Sequence, residues 1–339
     1  MFDRFSARTS PSILVQDEPE NIRLEGSGRN DTLSGGDGSD TLFGRGGDDV
    51  LGDGAGDDLL VGGPGEDRLI GGAGANTLVG GAGDDTLSGG GLLDGGEGAD
   101  LFYGSGTLRG GGGDDWYSGP GSSAVIEEEA GAGIDTVEWQ GGDYRLPQNV
   151  ENLIHLLTIG SDIVGNRLAN SMIAVPLYDA VGPNLFGEAG NDQLAGGGYR
   201  IEGGAGDDAL YSYGAGTVAG GAGDDQLVVV TTAGDLIGGK GADRFVAASE
   251  GPAWGAIADF DAGEGDVIDL GAIDADSSVD GDQAFVFVRV FSGAARQARL
   301  VYDRALDETR LELDVNGGGA PDFDALIDGH ARAGDGWAL

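Results

Sequence analysis

Gly26 to Ser88 reads GSGRNDTLS, GGDGSDTLF, GRGGDDVLG, DGAGDDLLV, GGPGEDRLI, GGAGANTLV and GGAGDDTLS, seven nine-residue units end to end. Each unit opens on glycines, places an acid or amide sixth and an apolar residue eighth, the pattern G-G-x-G-x-D-x-U-x. The first six residues can turn the chain tightly, because Gly reaches positive φ without steric cost and Asp tolerates it. The last three make a short strand whose middle side chain points inward: Leu33, Leu42, Leu51, Leu60, Leu69, Leu78 and Leu87. One unit cannot bury its leucine alone, so the units must stack, two per coil.

Stacking has an electrostatic consequence. It sets Asp31 beside Asp49 on one edge and Asp40 beside Asp58 on the other. Like carboxylates held this close repel unless a cation lies between them, and clustered carboxylate and carbonyl oxygens suit a hard ion such as Ca²⁺. These repeats resemble those of RTX proteins, secreted bacterial calcium-dependent β-rolls. The resemblance implies calcium between the turns of units i and i+2, held by the sixth-position Asp and by loop carbonyls.

Beyond Ser88 the spacing changes. GGGLLD (89–94) and GSGTLR (104–109) are short units, while GGEGADLFY and GGGGDDWYS are complete. Complete units then begin every fifteen residues, so one edge keeps its acidic loop and the other is cut to a compact turn. The expected ion ladders are a long one, Asp31, Asp49, Asp67, Asp85, Asp100 and Asp115, and a short one, Asp40, Asp58 and Asn76. Asn76 brings no charge where the short ladder stops. A second block carries complete units at Gly187, Gly203, Gly220 and Gly238, giving Asp192, Asp208, Asp225 and Asp243 as further ligands and Leu194, Leu210, Leu227 and Phe245 as plugs.

Between the blocks, residues 119–183 lack the glycine code. With Asn149, Asn152, Asn166 and Asn170 at recurring spots, this stretch resembles the ion-free insert found between RTX blocks, which implies a solenoid continued by Asn side chains bonding the backbone at turns, and the run Glu127 to Glu129 reads as a solvated face. From Ala248 the texture shifts to period-two alternation, expected as antiparallel strands. IADF and GDVIDL resemble the flanking domain of serralysin-type and other type I-secreted RTX proteins. DVNGGGAPDF resembles its Asp-rich loop, implying Asp314, Asn316 and Asp322 as ligands, with Gly318 a departure, and the terminal GDGWAL resembles an uncleaved type I secretion signal. The predicted fold is therefore all-β: a parallel β-roll or β-helix solenoid in two calcium-binding blocks, with an ion-free insert and a C-terminal antiparallel β cap. Its expected divisions are a cap or tail (1–23), the first block (24–118), the insert (119–183), the second block (184–247) and the flanking domain with secretion signal (248–339).

Composition narrows the function. The chain has 339 residues, 71 of them Gly, no Cys and a formal charge of −41. Such acidity repels phosphate backbones and anionic lipid, which argues against nucleic-acid binding and direct membrane insertion. Without thiols, ions must do the stapling. Residues 1–20 lack the apolar core of a secretory leader, consistent with type I export through its secretion machinery. Extracellular calcium sites, with dissociation constants of roughly 0.1 to 1 mM, would stand empty in a bacterial cytosol. Catalytic motifs are missing: His155 and His330 are far apart in sequence, and there is neither H-E-x-x-H nor G-x-S-x-G. GDLIGGKG (234–241) has Gly241 where a phosphate loop needs Ser or Thr. Trp116, Tyr117, Tyr211 and Tyr213 are expected to fill or edge the roll rather than stack sugars. The expected protein is a secreted calcium-binding structural or interaction protein, not an enzyme, that takes up about ten ions and folds as it does so. The alternatives are a self-associating adhesin or subunit of a surface layer, matrix or virion with a cell-surface partner, and a polysaccharide-modifying β-helix enzyme.

Overall fold

In the computed structural model, residues 4–6, 13–15, 21–156, 160–174, 182–214, 216–248, 254–276 and 283–338 are described, and all regular structure among them is strand. No helix among the described residues is long and apolar enough to cross a membrane. The chain divides into two compact units, residues 1–141 with 146–154, and residues 142–145 with 155–339.

The first unit is a parallel β-solenoid with two faces. On one, Thr32–Ser34, Val50–Gly52 and Arg68–Ile70 stack in register, pairing Leu33 with Leu51 and Leu51 with Leu69. The column continues through Leu87, Phe102, Tyr117 and Val137. On the other face Leu24, Leu42, Leu60, Leu78, Leu93, Leu108 and Ile126 stand one above the next. The leucines are 0 or 1 % exposed, which is the burial the eighth position was expected to supply. Each such side chain removed from water contributes roughly 1.5–3 kcal/mol. Within the first column Phe102 and Tyr117 stack, ring centroids 4.9 Å apart. The aromatic at Tyr117 is thus a core plug. Trp116 and Tyr213 lie at the surface.

The short units do as their length dictates. Thr86–Glu97 and Leu101–Gly112 are single twelve-residue strands that run through the cut corner and pair along it, Gly89 on Gly104 and Gly91 on Gly106. Gly91 and Gly106 both sit at φ +105°, and a Cβ on Gly106 would collide with the Gly91 carbonyl. At the N-terminal end Arg4–Ser6 and Ile13–Val15 add one strand to each face. The side chains of Ile13, Leu14 and Val15, expected to form a small apolar cluster, lie outside the described residues.

The second unit repeats the plan. Asp162–Val164, Asn184–Ala189, Arg200–Ala205, Thr217–Ala222 and Leu236–Lys240 form one parallel face. Ser171–Ala174, Gln193–Gly196, Ala209–Ser212, Gln226–Val229 and Arg244–Ala247 form the other, with Met172, Leu194, Leu210, Leu227 and Phe245 in column. The tail is mixed. Gln297–Asp303, Glu308–Asp314 and Phe323–Asp328 are antiparallel as the alternation predicts. Ala256–Ile257 and Val267–Asp269, from IADF and GDVIDL, instead pair parallel onto the two faces, and AFVFVRVF gives only Val286–Phe287, also in a parallel pairing. Period-two alternation reports which side chains face inward and is blind to strand direction.

Candidate metal centre

The sixth-position residues occupy the places the repeat predicts and form continuous inner ladders. In the long ladder, the backbone N–H of Asp31 donates to Oδ1 of Asp49 (2.7 Å), Asp49 to Asp67 (2.7 Å), Asp67 to Asp85 (2.7 Å), Asp85 to Asp100 (2.7 Å) and Asp100 to Asp115 (2.8 Å). In the short ladder Asp40 donates to Asp58 and Asp58 to Asn76. In the second unit Asn170 donates to Asp192, followed by Asp208, Asp225 and Asp243. An outer, exposed ladder at the fifth position runs the opposite way, as where Glu66 N–H donates back to Asp48 Oδ1 and Asp224 N–H back to Asp207 Oδ1.

One oxygen of each inner carboxylate is thereby used. The other, Oδ2, is buried and has no hydrogen-bond partner among the described residues at Asp40, Asp49, Asp58, Asp67, Asp85, Asp100, Asp115, Asp192, Asp208 and Asp225. A buried carboxylate oxygen left unanswered is costly, on the order of 1–3 kcal/mol or more. These atoms face a common kind of space. A Cβ placed on Gly62 would meet Asp67 Oδ2 and the Gly80 carbonyl oxygen; on Gly203 it would meet Asp208 Oδ2 and the Gly220 carbonyl oxygen. Only glycine leaves that space open, and it is walled by carboxylate and carbonyl oxygens, the donor set of a hard divalent cation.

The electrostatics agree. Burial pushes the carboxyls of Asp49, Asp85, Asp100, Asp192 and Asp225 up to about 7 and that of Asp115 up to about 8. The backbone N–H on Oδ1 works against that rise, and neighbouring ladder carboxylates add to it. Asp208 and Asp243 rise to about 6 for the same first cause. Charge at these positions therefore needs a counter-ion.

The family model of the RTX calcium-binding nonapeptide repeat matches four times, over residues 25–60, 61–91, 184–198 and 200–214. The chain carries RTX calcium-binding nonapeptide repeats in both units. No curated protein matches it. A roll of RTX repeats is typically structural rather than catalytic.

Several predicted ligands, in the roll and in the C-terminal loop, have other partners. Asp31 Oδ2 takes the N–H (2.5 Å) and hydroxyl (2.9 Å) of Ser27. Asn76 donates its Nδ2 to the Gly71 carbonyl (2.6 Å), so an amide stands where the neighbouring rungs present a free oxygen. In the C-terminal loop the Asp314 oxygens accept the N–H groups of Gly317 and Gly319 (2.8 Å each), and Asp322 accepts Val315 N–H (2.9 Å) and Asn316 Nδ2 (2.5 Å).

The structure also adds residues to the ladders. Asp115 N–H donates to Asp135 (2.9 Å), and Asp135 N–H to Glu151 (2.9 Å), so the long ladder enters the 119–183 stretch expected to be free of ions. Glu127 and Glu129 are exposed as anticipated, but Glu128 turns inward and accepts the Tyr117 hydroxyl. Asp53, at the first position of its unit, joins Asp40 and Asp58, and Glu128 joins Asp115 and Asp135. Asp266 accepts N–H groups from Asp243 (2.9 Å) and Asp261 (2.8 Å) at the far end of the second ladder. Asp135 and Asp266 were findable: both stand sixth in degenerate nonapeptides, AGAGIDTVE and DAGEGDVID.

Proposed function

We propose that the chain is a secreted, structural or interaction protein that folds outside the cell on binding calcium. The observation that carries this is the row of buried, partnerless Oδ2 atoms. The ligands would be the sixth-position aspartates, Asp49, Asp67, Asp85, Asp100 and Asp115 in the first unit and Asp192, Asp208, Asp225 and Asp243 in the second, completed by the first-position glycine carbonyls. When bound, the cations neutralise the carboxylates and link successive coils. About ten ions would offset roughly half of the −41 formal charge. Without them the chain's charge and scarce apolar surface favour an expanded state, and binding to the folded state alone couples folding to concentration by mass action. Millimolar calcium outside the cell and its scarcity inside make that coupling a switch tied to export, which fits a type I route.

Calcium titration followed by circular dichroism tests the switch. β-signal should appear cooperatively between roughly 0.1 and several millimolar Ca²⁺ and vanish on adding chelator; a signal indifferent to both sinks the proposal. Culture fractionation tests export independently, with the protein expected in the medium.

A further inference from the structure

Two places in the first unit depart from the regular rung in the same way. In the regular rung a first-position glycine is flanked by its own unit's Asp Oδ2 and by the carbonyl oxygen of the glycine one coil on: Gly44 by Asp49 and Gly62, Gly80 by Asp85 and Gly95, Gly95 by Asp100 and Gly110. At Gly35 the second flank is the carboxylate of Asp53, and at Gly110 it is the carboxylate of Glu128. A full negative charge has replaced a carbonyl dipole.

Each replacement assembles three carboxylates, Asp40 with Asp53 and Asp58, and Asp115 with Glu128 and Asp135, one oxygen from each lying within 4.8 Å of the others. Asp40, Asp58 and Asp115 are 2, 3 and 1 % exposed. Their Oδ2 atoms, like Asp53 Oδ2 and Glu128 Oε2, are buried without a hydrogen-bond partner among the described residues. We infer that these are two charge-enriched cation sites, the tightest in the first unit and the first to fill, a ranking that rests on the calcium reading above. The affinity of an oxygen site for a hard divalent cation rises with the charge and rigidity of its ligands. Both added side chains are anchored: Asp53 Oδ1 accepts Gly54 N–H (3.0 Å), and Glu128 Oε1 accepts the Tyr117 hydroxyl.

An acid at the end of a ladder is not sufficient for such a site. Asp259 lies against Gly238 and Gly239, and its two oxygens accept their N–H groups (2.8 Å each). Asp266 likewise has a backbone N–H on each oxygen. Those ends are closed by hydrogen bonds. The Glu128 and Asp53 sites are not.

The test is competition for Ca²⁺ between the full-length chain and a fluorescent chelator, with circular dichroism in parallel. The wild-type chain should hold two equivalents at least about tenfold more tightly than the rest. Asp53→Gly, which restores the glycine of the repeat, should remove one tight equivalent, and Glu128→Gln the other. Both variants should keep the weaker equivalents and the calcium-induced β-signal. Calcium uptake into a single uniform class, or tight equivalents unchanged by both variants, overturns the ranking while leaving the calcium switch standing. No uptake by any of the chains overturns the switch and the ranking together.

Discussion

The two edges of the first unit start from the same repeat and end differently. Along one, the carboxylates of Asp49, Asp67, Asp85, Asp100 and Asp115 each keep a buried oxygen unpartnered. Along the other, Asn76 donates its amide to Gly71, and beyond it the corner becomes continuous strand through Gly91 and Gly106. A single change from carboxylate to amide supplies a donor where the neighbouring rung calls for a cation. Past that point the shortened loop needs neither. On the proposed calcium reading, the same solenoid would be held by ions along one edge and by its own hydrogen bonds where Asn76 ends the other.

If unneutralised charge is what separates the edges, protons should substitute for calcium. The carboxyls of Asp49, Asp85 and Asp100 are pushed by burial to about 7 when folded against an unfolded value of 3.8, so folding raises their pKa. The ion-free protein is then most stable below about pH 4 and loses that stability as pH rises through about 7. Chelated protein should show strong β-signal at pH 4.5 and little at pH 8; equal signals at both would erase the distinction between the edges. The calcium requirement should grow over the same interval.

The core is common to both edges, so truncating a plug should not tell them apart. Leu69→Ala and Leu60→Ala, each in calcium, should both cost about 2–5 kcal/mol in denaturant unfolding, within error of one another. A large gap between them would mean that the faces, and not the edges, carry the difference. The smallest effect is expected from Asn76→Asp. It removes the amide bond to Gly71 and leaves an uncompensated buried carboxylate, so in calcium just sufficient to fold the wild-type chain it should destabilise by about 1–3 kcal/mol. Added calcium should recover the loss, making the short edge ion-dependent one rung further.

What could be read from residues alone follows from how strictly position encodes environment. Leu33 to Leu87 and Asp31 to Asp115 were legible because the repeat fixes both the inward strand position and the loop position, and the stacked columns reproduce that register. Asp53 was not, since at a first position it reads as one glycine missing from DGAGDDLLV. Glu128 lies outside any repeat, and only the path of the chain after Ser118 returns it to Gly110. Asp135 was obscured by Ala130 and Ile134, which blur the glycine code while leaving its spacing intact. In the tail, the alternation of IADF and GDVIDL announced strands but could not announce that they pair parallel with the preceding coils.

The inner ladders have a direction. Along the long ladder each buried sixth-position N–H from Asp31 to Asp100 is answered by the carboxylate of the coil that follows it in sequence, whereas the reversed fifth-position bonds are exposed to water. A newly added N-terminal coil finds its acceptor already in place, but a coil without a successor buries an orphan donor. The stack is therefore a zipper with its stop at the C-terminal end: trimming it from the front shortens it, and trimming it from the back undoes the tooth that the next one grips.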